Sequence, residues 1–80
     1  MSNFIGFTIG LQTPVGFIKA EYNRRGEDVV ITAASAYNLG QAQRAGSAVV
    51  SATEFNERPA NPYDEIVEAR WAFKKLGIAV

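Results

Sequence analysis

Alternating large and small side chains fill the start of the chain and predict β-structure. On one side of this pattern stand Ile5, Phe7, Ile9 and Leu11. Because successive side chains of a strand point to opposite faces, the alternation predicts a half-buried strand with its large apolar side against a core. The turn-forming residues of Gln12–Pro14 predict a tight connection to a second strand.

The second strand is predicted over residues 15–22, and it forms a hairpin with the first. Its alternation separates Ile18, Ala20 and Tyr22 on one side from Phe17, Lys19 and Glu21 on the other. Residues 23–28 predict a turn in which Gly26 can adopt a positive φ. The β-branched segment 29–33 then predicts a third strand, so the first three strands form an antiparallel meander.

The middle of the chain allows two interpretations. In the first, a helix covers about residues 36–45, with Ser35 as its N-cap and Gly46 as its C-terminal stop, and a fourth strand covers residues 47–55. In the second, one helix runs from Gln41 to Thr53. Gly46 would lie inside that helix, which disfavours the second interpretation because glycine weakens helix interiors.

A C-terminal helix is predicted from Pro62 to about Leu76. Asn61 is suited to cap it, proline is well tolerated at the first helical position, and Gly77 can end it in a left-handed conformation. An apolar stripe along this helix, suited to packing on a sheet, consists of Ile66, Ala69, Phe73 and Leu76. Together these elements predict an α+β fold: a small antiparallel sheet of three to four strands, in the order β-β-β-α-β-α, packed by a C-terminal amphipathic helix.

Length and composition narrow the class of protein. Eighty residues are enough for a single domain spanning positions 1–80, and 48% hydrophobic residues are typical of a folded chain. The sequence has no cysteine and no histidine, so the usual nucleophile–base pairs and the commonest metal ligands are missing. We therefore expect no enzymatic activity, no metal and no cofactor. The carboxylates of Asp64, Glu65 and Glu68 are best explained by the positive end of the last helix.

Charge limits the expected partners. The net charge is zero, with eight basic and eight acidic residues, which argues against a nucleic-acid or anionic-membrane partner. The absence of cysteine and of a recognisable leader segment leads us to expect a cytoplasmic protein. Residues 29–53 contain one charge, Arg44, so this segment is expected to be buried or covered by another molecule.

Two groups of residues are candidates for binding a partner. The first lies on and before the last helix and contains Tyr63, Arg70, Trp71 and Lys74; Trp, Tyr and Arg are the residue types that dominate binding hot spots. The alternative is that Tyr63, Val67 and Trp71 are the flank of a wide buried face. The second group contains the arginines Arg24, Arg25 and Arg44, which could equally be ordinary solvated residues.

No motif is specific enough to assign a family, so three functional hypotheses remain. The chain is expected to be a non-enzymatic protein-binding module, such as a small inhibitor or adaptor of the kind that phages and mobile elements encode, docking on a larger protein complex. One alternative is a structural subunit that self-assembles, as a homodimer or a larger homo-oligomer, through the charge-poor first 53 residues. The other is a nucleic-acid-binding accessory protein that uses Arg24, Arg25 and Arg44.

Overall fold

A computed structural model describes residues 3–34 and 46–79, and it confirms the predicted α+β class with a C-terminal helix packed on an antiparallel sheet. The described residues form five strands and two helices: β1 (Phe4–Phe7), β2 (Leu11–Thr13), β3 (Gly16–Arg25), β4 (Asp28–Ala34), β5 (Ser47–Ser51), α1 (Ala52–Asn56) and α2 (Ile66–Lys75). The strands are ordered β1-β3-β4-β5, and β2 pairs with the beginning of β3.

The first predicted strand is divided into β1 and β2. Its predicted buried side is confirmed for Ile9 and Leu11, which pack against the core, and is wrong for Ile5 and Phe7. Phe4 lies opposite Asn23 and Phe7 opposite Glu21, so β1 contains one residue more than the matching stretch of β3. Such a β-bulge shifts the alternation by one position. As a result Phe4 and Phe7 share a face with Glu21, and both Ile5 and Phe7 are exposed rather than buried.

The hairpin of β3 and β4 is longer than predicted, because Arg25 and Asp28 are still paired. The turn therefore consists of only two residues, and Gly26 adopts the predicted positive φ of 63°. The alternation along this hairpin is confirmed. Its buried residues are Ile18, Ala20 and Tyr22 on β3 and Val29, Ile31 and Ala33 on β4.

The predicted helix over residues 36–45 lies outside the described residues. The strand after it is confirmed as β5, which pairs with β4, so the alternative of one helix from Gln41 to Thr53 is wrong. The predicted end of the strand is also wrong. The Ser51 side chain accepts a hydrogen bond from the Glu54 N–H and begins helix α1, because serine satisfies a free N–H at a helix N-terminus.

Helix α2 begins at Ile66, four residues later than predicted. Instead of capping a helix at Pro62, the Asn61 side chain accepts a hydrogen bond from Tyr63 N–H in a local turn. The predicted end is confirmed: Gly77 has a φ of 77°, and the Ile78 N–H donates to the Phe73 carbonyl at 2.9 Å. Neither helix in the described ranges is long and apolar enough to cross a membrane.

The core lies between one face of the sheet and the two helices. The buried helix residues that pack with the inward side chains of β3, β4 and β5 are Phe55, Ala69, Ala72 and Phe73. Tyr22 meets Phe55 edge-on, with ring centroids 4.9 Å apart. The core thus occupies one side of the sheet, and the opposite side carries the exposed Phe4, Phe7, Phe17 and Val49.

Candidate protein-binding surface

The sheet side turned away from the helices, here called the open face, is the candidate site. Strand pairing assigns the following residues to it: Phe4 and Phe7 on β1; Phe17, Lys19, Glu21, Asn23 and Arg25 on β3; Asp28, Val30, Thr32 and Ala34 on β4; Ser47, Val49 and Ser51 on β5. On a sheet face that meets water these positions are usually polar. Here four of them are large and apolar and half-exposed.

Four large apolar side chains on the open face are half-exposed. The exposed fractions are 44% for Phe4, 46% for Phe7, 49% for Phe17 and 54% for Val49. The rings of Phe4 and Phe7 are in contact, with centroids 4.8 Å apart. Single exposed apolar side chains are common in proteins, whereas a contacting aromatic pair with further exposed apolar residues on the same face makes that face a candidate for covering by another molecule.

Local backbone features place the three phenylalanines on this face. The bulge in β1 brings Phe4 and Phe7 to the same side. Phe17 extends its ring over Gly10, where a Cβ atom would lie 2.7 Å from Cε1 of that ring. Glycine at position 10 therefore provides the space in which the Phe17 ring lies.

Two opposite charges occupy the middle of the open face. Lys19 Nζ lies 3.9 Å from the centroid of the Phe7 ring, a favourable cation–π contact. Glu21 follows two positions later on β3, so its side chain is on the same side of the sheet. Neither Lys19 nor Glu21 forms an ion pair with any residue that the structure describes. Arg25 and Asp28 form a second oppositely charged pair of positions at the hairpin end of the face.

On the other side of the sheet, Arg58 joins the two helices. Its Nε donates to Glu68 Oε1 at 2.6 Å, its Nη1 donates to the Phe55 carbonyl at 2.9 Å, and its guanidinium lies 4.0 Å from the Phe55 ring centroid. The nearby Tyr22 hydroxyl is buried and has no hydrogen-bond partner within the described ranges. Burial raises the pKa of Tyr22 well above its usual value, and the negative charge of Glu68 raises it further.

A small cleft of about 140 Å³ lies between the β1–β2 connection and the segment before α2. Its polar groups include Thr8, Glu65 and Glu68, but Thr8 Oγ1 already bonds Ala20 N–H and the Ile9 carbonyl, and Glu68 is paired with Arg58. Across residues 3–34 and 46–79, no three acidic side chains converge in a way that could hold a metal ion. The open face is therefore the better candidate for binding.

No protein-family model matches this chain, and no curated protein or solved structure shows significant similarity to it. The function of the chain is therefore inferred from its own geometry.

The residues predicted from the sequence as partner-binding are divided among several places. Arg70 and Lys74 are exposed on α2, and Trp71 between them is half-buried against the core. Tyr63 is 95% exposed, but it precedes α2 and is not on a stripe of that helix. The alternative of a wide buried flank is therefore wrong for Tyr63, whereas partner binding by these four residues stays a prediction.

The predicted arginine group is divided as well. Arg25 is on the open face at its hairpin end, whereas Arg24 points to the other side and its Nε donates to the Gly26 carbonyl at 2.8 Å. Arg44 lies outside the described residues. No shared phosphate-binding site is formed by Arg24 and Arg25, because neighbouring residues of a strand point to opposite faces.

The apolar members of the open face were not predicted from the sequence as binding residues. A signal for Phe17 was present, since it alternates with the buried residues of β3 and shares a side with Lys19 and Glu21. The low charge of the first 53 residues was a second signal. Phe4 and Phe7 gave no signal, because the bulge that turns them to this face is not visible in the alternation.

Proposed function

We propose that this chain is a non-enzymatic protein-binding module that binds its partner through the open face. The observation that supports this proposal is that Phe4, Phe7, Phe17 and Val49 are half-exposed on one face of the sheet, with the rings of Phe4 and Phe7 in contact. Burying apolar surface is the main favourable contribution to most protein–protein association. Aromatic residues are also enriched in the centres of interfaces.

A protein partner fits this face better than a nucleic acid. Exposed phenylalanines on a sheet can stack with bases, but single-strand binding surfaces combine such rings with an excess of positive charge. Here Lys19 is balanced by Glu21, and Arg25 is balanced by Asp28. The whole chain is also neutral.

Two of the hypotheses drawn from the sequence are compatible with binding through the open face. The chain docks as a small inhibitor or adaptor on a larger cytoplasmic complex, or it covers its open face with further copies of itself. Both forms use the same surface, and they differ in the identity of the bound protein.

Site-specific photo-crosslinking tests the proposal. A photoreactive phenylalanine analogue is placed at position 17 and, as the contrasting variant, at Tyr63, which is a more exposed aromatic residue away from the sheet. In cells that produce the chain, we expect protein adducts from position 17 and few from position 63. Adducts from position 63 alone, or nucleic acid crosslinked at position 17, would contradict the proposal.

A further inference from the structure

The charges at the centre of the open face are arranged so that the face complements itself. Lys19 and Glu21 are on the same side of β3 and are separated by about 7 Å along the strand, the length of two residues. They are opposite in sign, and neither is ion-paired with a described residue. In a symmetric interface the same patch serves both partners, so that residue i of one copy meets residue j of the other and the reverse.

We propose that the protein covering the open face is a second copy of this chain, packed face to face so that each Lys19 meets Glu21 of the other copy. This inference rests on the proposed function, because it names the partner of the same surface. A two-fold axis that lies midway between the two sheets, runs perpendicular to the strands and passes above Ala20 makes the two β3 strands antiparallel. That arrangement forms both ion pairs at once.

The aromatic residues fit the same arrangement. Packed sheets are separated by about 10 Å, which leaves space for one interdigitated layer of side chains from each face. Phe4, Phe7 and Phe17 would supply most of that layer. A symmetric pair therefore removes the exposed apolar side chains of the open face from water and places Lys19 and Glu21 opposite groups of the other sign.

The size of the face sets the expected strength of the pair. Strands β1, β3, β4 and β5 contain 26 residues. At about 3.3 Å per residue and about 4.8 Å between strands, they give a projected area of about 400 Å² on each copy. This is small compared with the roughly 800 Å² per partner of stable interfaces. We therefore expect a reversible dimer with a dissociation constant in the micromolar range.

Charge reversal combined with analytical ultracentrifugation tests this inference. In the Lys19→Glu variant, positions 19 and 21 are both glutamate, so like charges face each other across the interface. In the Glu21→Lys variant, both positions are lysine, and like charges again face each other. Each single variant should therefore dimerise at least about tenfold more weakly than the unmodified chain. An equimolar mixture of the two variants should recover a heterodimer, since every facing pair is again of opposite charge. This recovery also shows that both variants are folded.

The control is Glu57→Lys, which makes the same charge change at an exposed residue after α1 and should leave the dimer unchanged. A monomeric unmodified chain up to near-millimolar concentration would overturn the inference, and so would a dimer that responds equally to Glu21→Lys and Glu57→Lys. If the chain is monomeric but position 17 crosslinks a different protein, the proposed function stands and only the second copy is wrong. If position 17 crosslinks nothing, both are wrong.

Discussion

Replacing Arg58 with alanine is expected to loosen the helical layer, because this side chain joins the two helices. It contacts Glu68 on α2 through an ion pair and the end of α1 through the Phe55 carbonyl, and its guanidinium lies 4.0 Å above the Phe55 ring. The side chains of Arg58 and Glu68 are 27% and 23% exposed, so solvent screens their attraction only in part.

The expected loss follows from these contacts. A hydrogen bond to a carbonyl contributes about 1 kcal/mol, and a partly exposed ion pair and a cation–π contact each contribute about 0.5–1 kcal/mol. Contacts that share one side chain are not additive, so we expect Arg58→Ala to lower the free energy of unfolding by about 2 kcal/mol. In a domain of this size, that loss lowers Tm by about 8–16 °C.

Urea unfolding followed by circular dichroism measures this loss. The matched control is Lys75→Ala, which removes another ion pair between the same two helices, to Glu54. That pair is more exposed, at 36% and 43%, so its loss should cost less than about 0.5 kcal/mol. Arg58→Lys keeps the charge but not the planar fork, and it should recover only a minor part of the stability. Equal stabilities for Arg58→Ala and Lys75→Ala would refute this account of the helical layer.

Four further substitutions test other parts of the structure. Tyr22→Phe removes a buried hydroxyl without a partner among the described residues and should leave the stability at neutral pH unchanged or higher. The pKa of Tyr22 is raised in the folded chain, so the unfolded chain loses the Tyr22 proton at a lower pH than the folded chain does. The free energy of unfolding should therefore be unaffected by Tyr22 ionisation below pH of about 10 and should fall above it, by at most about 1.4 kcal/mol per pH unit. Unfolding at several alkaline pH values should show a smaller decline for Tyr22→Phe. Gly77→Ala places a side chain at a φ of 77° and should lower the free energy of unfolding by about 1 kcal/mol. Gly6→Ala adds a Cβ atom in open space and should leave the free energy of unfolding unchanged, and thermal unfolding of both variants measures the difference. Gly10→Ala should displace the ring of Phe17 with little loss of stability, because the clashing atoms are at the end of a side chain; unchanged aromatic NMR shifts of Phe17 would count against the described contact.

Much of the fold could be predicted from local sequence patterns. The alternation of β3 and β4, the positive φ of Gly26 and the end of α2 at Gly77 depend on the geometry of a few neighbouring residues, and each is confirmed. The boundaries were less predictable. Ser51 ends a strand and Asn61 forms a turn rather than a cap, because short polar side chains can satisfy backbone N–H groups in several local structures.

The sequence by itself determined the class of the fold and the balance of charge, since alternation, turn residues and composition are all local or additive properties. Only the tertiary structure decided which aromatic side chains share the open face. Phe4 and Phe7 are on the open face because one extra residue in β1 is accommodated against β3, and Phe17 joins them because Gly10 leaves space for its ring. Both features depend on the pairing of segments that are separated along the chain, and alternation within a single strand carries no information about its partner's register.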